Sequence, residues 1–138
     1  MKDLYLVQMP FSVIYHPSIA LGILKTGAEK AGLSCVVDYA NLRLAHMIGI
    51  KPYEAILSTG TQLLAGEVLF SECAGFTCRK NIEEYFKFVE QVYKTHDENY
   101  LNTVSAIKEV FYSVKADIDR FIQETAEYLL AFSPKIVA

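Results

Sequence analysis

The stretch "DLYLVQMPFSVIYHPSIALGILKTGAEKAGLSCVVDYAN", Asp3 to Asn41, decides the fold. It opens with Asp3 to Met9, a short apolar run rich in β-formers, the pattern of a strand buried on both faces of a parallel sheet. From Ser18 the pattern becomes helical. Ile19, Leu21, Ile23, Leu24 and Ala28 mix with Lys25, Glu29 and Lys30, Pro17 suits a first helical position, and Gly32 suits a C-terminal cap. Leu33 to Asn41 is again β-branched and aromatic, and it follows the helix after a loop of about two residues, the usual length in an α/β unit. Strand, helix and strand make a βαβ unit. Parallel strands require such a crossover and its hand is nearly always right, so the second strand belongs beside the first with the helix on a sheet face. The fold class that follows is α/β, the start of a doubly wound, Rossmann-like parallel sheet.

Beyond Asn41 the sequence turns helical. "LRLAHMIG" reads as a short helix ended by Gly49, and "KPYEAILST" as another opened by Pro52 and ended near Gly60. "QLLAGEVLFSECAGF" reads as helix to about Ser71 and then loop. Asn81 is a plausible N-cap for a helix on which Ile82, Tyr85, Phe86, Val89 and Val92 share a face, and "HDENY" breaks it. The strongest helical pattern comes last: Val104, Ile107, Val110, Phe111, Val114, Ile118, Phe121, Ile122 and Leu129 form an apolar stripe against Lys108, Lys115, Asp117, Asp119 and Glu124. Past Pro134, Lys135 to Ala138 has the look of a further strand.

The expected organisation is therefore a βαβ unit over 1–41, a helical segment over 42–133 and the start of a strand over 134–138. Two strands and a fragment of a third make a poor sheet. The sequence thus reads as the front of a larger protein, truncated at the third strand, with a mainly helical domain carrying a small sheet as the alternative.

Composition narrows the function classes. With 138 residues and 52% hydrophobic content, the chain can bury a sizeable core. Its formal charge is -3, and no stripe of lysine and arginine offers a footprint for nucleic acid. The N-terminus shows neither a signal-peptide segment nor a run long enough to span a bilayer, so a cytoplasmic protein without membrane partners is the expectation. Cys35, Cys73 and Cys78 are an odd set in such a chain, and reduced thiols are expected rather than a disulfide framework.

Motifs of known chemistry are sparse. The sequence has no G-x-G-x-x-G and no Walker loop; Gly22 and Gly27 fall in a helical pattern, where they are expected to let the helix pack closely on the sheet. Cys73 and Cys78 lack a histidine at metal-ligand spacing. His96 falls in the polar "THDENY" break as a solvated loop residue, and His46 lies among Leu44, Met47 and Ile48, where a packed neutral imidazole is expected. His16 alone has a positional argument, because it precedes Pro17 at the entry to the first helix, and open α/β sheets bind ligands outside the carboxyl ends of their strands. A plain loop histidine is the alternative. Glu83, Glu84, Glu90, Asp117, Asp119 and Glu124 fall on polar helix faces, so no catalytic carboxylate pair stands out. Residue chemistry by itself reaches a ligand-binding α/β domain with its site at the strand carboxyl ends.

A family resemblance goes further. "LVQMPFSVIYHPSIALGILKTGAEKAGLSCVVDYANLRLAHMIG", continued by "LLAGEVLF", resembles the N-terminal cobalamin-binding region of radical SAM enzymes that mature ribosomally made peptides (RiPPs), a family of C-methyltransferases. The likeness spans Leu6 to about Phe70. Its pieces are a strand ending in "MPF", a spacer, the proline-opened "PSIALGILK", a glycine-closed helix, a second strand running into "YANLR", and "GE" followed by an aromatic at Phe70.

The resemblance implies a Rossmann-like domain that holds cobalamin at its strand carboxyl ends. The rest of such an enzyme is a radical SAM barrel with a 4Fe-4S cluster and S-adenosylmethionine, acting on a peptide substrate. The present residues contain neither the cluster-binding CxxxCxxC nor the DxHxxG motif that supplies a cobalt-ligating histidine in other cobalamin proteins. No catalytic residue is therefore assigned in this segment. By the motif match, Pro10, Phe11, Ser12 and Val13 after the first strand, His16, Pro17 and Ser18 at the helix entry, and Asn41 after the second strand are the candidates for lining the cofactor. The helix entry would offer free backbone N–H groups near Ser18 and Ile19 to a polar or anionic part of it. In the other class stands a free-standing, non-catalytic interaction or small-ligand-binding module whose helical half, Asn81 to Phe132, presents a partner surface.

Overall fold

The structure, a computed structural model, describes residues 2–73, 79–95 and 98–138, the side chains of 60–62, 72, 73 and 79–81 excepted. Three strands, β1 (Lys2–Val7), β2 (Cys35–Asp38) and β3 (Pro134–Val137), form a parallel sheet in the order β2-β1-β3. Six helices complete the described chain: α1 (Ile19–Lys30), α2 (Ala40–Ile48), α3 (Ile50–Leu63), α4 (Ala65–Cys73), α5 (Arg79–Lys94) and α6 (Tyr100–Phe132). The fold is α/β with a Rossmann-like start. No helix among the described residues is long and apolar enough to cross a membrane.

Two compact units make up the chain, one of Met1–Met47 with Arg120–Ala138, the other of Ile48–Asp119. The first holds the sheet, α1, α2 and the last turns of α6. In it β1 is the central strand: Leu4 to Val7 align with Cys35 to Asp38 on one side, and Leu4 and Tyr5 with Ile136 and Val137 on the other. Tyr5 and Leu6, which point to opposite faces of the sheet, are both buried, so β1 is covered on both faces as its apolar run requires. Phe132 stacks on the Tyr5 ring with centroids 5.8 Å apart, which places the end of α6 on the Tyr5 face.

The boundaries of α1 follow from its caps. Ser18, in extended conformation, accepts the Leu21 N–H on its Oγ and is the N-cap, so Pro17 lies just outside the helix rather than at its first position. At the other end Gly32 adopts φ 78°, Gly32 N–H donates to Glu29 and Leu33 N–H to Ala28, a Schellman closure that a residue with a Cβ would strain. Leu21 and Ala28 are its buried residues. Gly22 and Gly27 lie on the exposed face instead, where an added Cβ would meet nothing within 4 Å. They do not serve close packing on the sheet, because the 3.6-residue period carries them away from the Leu21 and Ala28 stripe.

Strand two is shorter than the run Leu33 to Asn41 predicts. The Tyr39 carbonyl accepts from the N–H groups of Leu42 and Arg43, so the backbone is already helical at Ala40, and Asn41 belongs to α2 rather than to a strand end. Gly49, at φ 91°, closes α2 as its sequence position predicts.

In the second unit, Gly60 does not end α3, which runs on to Leu63. Tyr53, Ile56, Thr59 and Leu63 line up as one buried face, and that packing outweighs the roughly 1 kcal/mol that an interior glycine costs a helix. The break comes at Leu64, whose φ of 55° turns the chain into α4. Helix α5 begins at Arg79, ahead of the expected Asn81 cap. Ile82, Phe86 and Val89 of α5 and Val104, Phe111, Val114 and Ile118 of α6 are buried in this unit, and the rings of Phe86 and Phe111 meet edge to face at 5.2 Å.

Candidate functional site

In a parallel sheet ordered β2-β1-β3, the crossover from β1 to β2 and the crossover from β2 past β1 to β3 run in opposite directions, so the reversal lies between β1 and β3. Open α/β sheets take ligands outside the strand carboxyl ends, and the loop after β1 emerges at that edge. The backbone at this edge is tightly specified. Val7 N–H donates to the Ala138 carbonyl at 2.8 Å, the last rung toward β3, whereas Gln8 N–H still donates to Asp38 at 2.8 Å on the β2 side. The Gln8 carbonyl then accepts the Asn41 N–H at 3.1 Å, so the end of β1 is tied directly to the first turn of α2.

From here the chain turns sharply. Pro10 and Phe11 form a turn in which Phe11 adopts φ 59°, and the Ser12 hydroxyl donates to the Met9 carbonyl at 3.0 Å. Proline at the second position and positive φ at the third are the marks of a type II turn, a place where glycine is the usual third residue. The loop beyond it carries apolar side chains outward: Met9 is 61%, Val13 52% and Tyr15 64% exposed.

Asn41 anchors this loop. Its side chain is 2% exposed, and its Nδ2 donates to the Val13 carbonyl at 3.3 Å. Beside that contact lies a cavity of about 280 Å³ walled by Ile14, Tyr15, His16, Pro17, Tyr39, Asn41 and Leu42. Of the residues expected to line a cofactor, the structure thus brings His16, Pro17 and Asn41 to one cavity, with Val13 bonded to it through its carbonyl. Pro10, Phe11 and Ser12 stand in the turn before it, and Ser18 acts as the α1 cap. Ile14, Tyr15, Tyr39 and Leu42 were not anticipated; Ile14 and Tyr15 fall between the named positions of the loop, and Tyr39 follows β2 immediately, which are the signals that could have marked them.

Beneath the loop, a polar cluster holds α2 and α6 to the sheet. Asp38, the last residue of β2, is buried and accepts from Tyr5 Oη at 2.8 Å, from Arg43 Nη2 at 2.7 Å and from Arg43 Nε at 3.2 Å. Arg43 Nη1 donates to Thr125 Oγ1 at 3.2 Å, and the guanidinium lies over the Phe121 and Tyr128 rings at 5.5 and 5.1 Å. Burial, with the Asp38 carboxylate second, pushes the Tyr5 hydroxyl well above the ordinary tyrosine range.

The remaining sequence candidates are dispersed. His46 is exposed rather than packed, since α2 buries its Ala40, Asn41, Leu44 and Ala45 face and leaves position 46 outside; it borders a shallow cavity of about 650 Å³ with Arg43, Met47 and Arg120. Cys35 is a free thiol in β2. His96, Cys78 and the Cys73 side chain lie outside the described residues. Among the described residues no group of three His, Cys, Asp or Glu side chains is placed to hold a metal ion. Comparison with protein-family models, with curated proteins and with solved structures found no match to this chain.

Proposed function

We propose that this chain is the cobalamin-binding N-terminal portion of a radical SAM C-methyltransferase that modifies a ribosomally made peptide. The observation that carries the reading is the outward apolar loop at the carboxyl end of β1: Met9, Val13 and Tyr15 are each more than half exposed where a parallel sheet receives its ligand. A corrin is a broad ring with a large apolar face, and an exposed apolar loop fits it better than it fits a nucleotide, for which the chain has no phosphate-cradling glycine motif.

In this reading the chain's own groups bind and orient. Phe11 and Val13 cover the ring from the β1 turn, His16 and Pro17 close the helix side, and Asn41 holds the loop from below. The N–H groups at the start of α1, beside Ser18, face a polar edge of the ligand. When bound, cobalamin supplies the methyl group that the whole enzyme transfers to a peptide carbon, while S-adenosylmethionine and a 4Fe-4S cluster belong to a part outside these residues.

Titrating the chain with hydroxocobalamin and following its visible spectrum and its co-elution on gel filtration tests the reading. Co-elution near one equivalent, with a shifted spectrum, is expected. An unchanged spectrum and free elution of the corrinoid at 100 μM, roughly a hundred times a micromolar Kd, would overturn it.

A further inference from the structure

Asn41 has a hydrogen-bonding capacity that the packing around it does not use. Its Oδ1 is shielded from solvent and meets no hydrogen-bond donor among the described residues. The orientation of the amide is not arbitrary. The Val13 carbonyl, 3.3 Å from Nδ2, can only accept, so it must face the NH2 group and leave the oxygen on the other side. A buried acceptor without a donor costs stability, and an apolar side chain of similar shape would avoid that cost. The same residue lines the cavity beside Ile14, His16, Pro17 and Tyr39.

The partner of such an atom is chemically constrained. It must donate a hydrogen bond, which excludes a carboxylate or phosphate, whose oxygens would face the Asn41 oxygen in repulsion. A cation would have to shed its water against Ile14, Pro17 and Leu42, at a high desolvation cost. A neutral donor remains, an N–H or an O–H, and of these a primary amide is small enough for a cavity of about 280 Å³. We infer that Asn41 Oδ1 accepts the N–H of a propionamide arm of the ligand. This rests on the reading of that ligand as cobalamin, whose ring is fringed with such arms. The arm approaches from the cavity that Asn41 lines and reaches the shielded oxygen through a shift of side chains in its wall, while Nδ2 keeps the Val13 carbonyl and so holds the loop.

The test is a binding titration, read by visible absorption, of the chain with cobalamin and with its three monocarboxylic acids, in each of which one propionamide is hydrolysed. The parent chain is expected to bind at least one acid about tenfold more weakly than cobalamin, because a carboxylate cannot donate. Asn41→Leu is expected to bind cobalamin about tenfold more weakly and to treat that acid and cobalamin alike. Asn41→Asp keeps acceptor oxygens toward the arm but loses the bond to Val13, so its loss of cobalamin affinity should be smaller than that of Asn41→Leu, and it should reject the same acid more strongly than the parent does. Circular dichroism identifies any variant that fails to fold, and either variant alone decides the matter through its discrimination of the acid. Equal binding of all three acids by the parent chain would overturn the inference, as would discrimination that survives Asn41→Leu or a loss in Asn41→Asp as large as in Asn41→Leu; each leaves the cobalamin reading standing. Failure of the parent chain to bind cobalamin at all would instead remove the reading beneath it.

Discussion

Arg43 meets Asp38 side-on, with Nη2 2.7 Å from Oδ2 and Nε 3.2 Å from Oδ1. The two residues are close in sequence but belong to different elements, the end of β2 and the second turn of α2. Because Tyr5 of β1 and Thr125 of α6 join the same cluster, this ion pair connects four segments of the sheet-bearing unit. The Asp38 backbone also continues the ladder under the candidate site through Gln8.

Removing either partner of the pair should cost stability unequally. Arg43→Met strands a carboxylate that is 6% exposed, whereas Asp38→Asn leaves a guanidinium that is 31% exposed and can turn toward water. We expect about 3 kcal/mol for Arg43→Met, at the low end for a broken buried pair because the arginine is partly solvated, and about 1.5 kcal/mol for Asp38→Asn. Urea unfolding at neutral pH measures both, and the double variant should cost less than the sum. A smaller loss for Arg43→Met than for Asp38→Asn would contradict the assignment.

At the amino ends of the strands Asp3 makes a clasp. Its Oδ1 accepts from Lys135 Nζ of β3 at 2.6 Å, and its Oδ2 accepts from the Ser34 N–H and hydroxyl, next to β2, at 2.9 and 2.7 Å. The Lys135 ammonium first, then the Ser34 donors, hold the Asp3 carboxyl well below the usual carboxylate range. A carboxylate with a depressed folded pKa contributes stability above its unfolded value, about 3.9, and loses it as pH falls toward the folded value. Asp3→Asn should therefore lower Tm at pH 7, with the gap to the parent narrowing below about pH 4. Thermal melts at pH 7, 5 and 3 check this; a gap that stays constant to pH 3 would refute it.

The βαβ unit was legible because its signals are local. Pro17, the apolar spacing from Ile19 and Gly32 bracket one helix between two β-rich runs, and parallel pairing of those runs is then nearly forced. The Pro10 to Ser18 loop follows β1 directly, so its place at the strand's carboxyl end is equally local information. Asn41 was misplaced on a strand end because the Tyr39 cap uses a backbone carbonyl, which leaves no side-chain signature. Gly60 misled for the reason given by its neighbours: the buried face of α3 depends on tertiary contacts that no single position displays. The Asp38, Arg43, Tyr5 and Thr125 cluster was invisible for the same cause, since its members come from four elements and only the fold brings them within 3.2 Å.

Two tyrosines should make the protein lose stability in alkali. Burial and Asp38 raise the Tyr5 hydroxyl strongly, and burial, with smaller contributions from Tyr93 and Glu67, pushes Tyr85 up to about 12. The neutral forms are favoured in the folded chain, so the stability they support is full below the unfolded value near 10 and declines above it, by up to about 1.4 kcal/mol per pH unit for each group. Tyr5→Phe should cost about 2 kcal/mol at pH 7 through loss of the hydrogen bond to Asp38, and it should flatten the alkaline decline. Urea midpoints measured from pH 8 to 11 give both numbers; a decline as steep as the parent's would show that Tyr5 does not contribute to it.

The Phe11 turn separates what the backbone needs from what a ligand needs. A non-glycine residue at φ 59° sits in a region that costs an L-residue on the order of 1 kcal/mol, and such strain persists where the side chain has a use. Phe11→Gly removes ring and strain together, while Phe11→Ala removes the ring and keeps the strain, so the glycine variant should be the more stable by roughly 1 kcal/mol. If the ring covers the corrin, both variants should lose cobalamin retention to a similar extent, about tenfold, although their stabilities differ. Retention that followed stability instead, with Phe11→Gly binding as well as the parent chain, would mean that Phe11 serves only the turn, and its place in the site would have to be withdrawn.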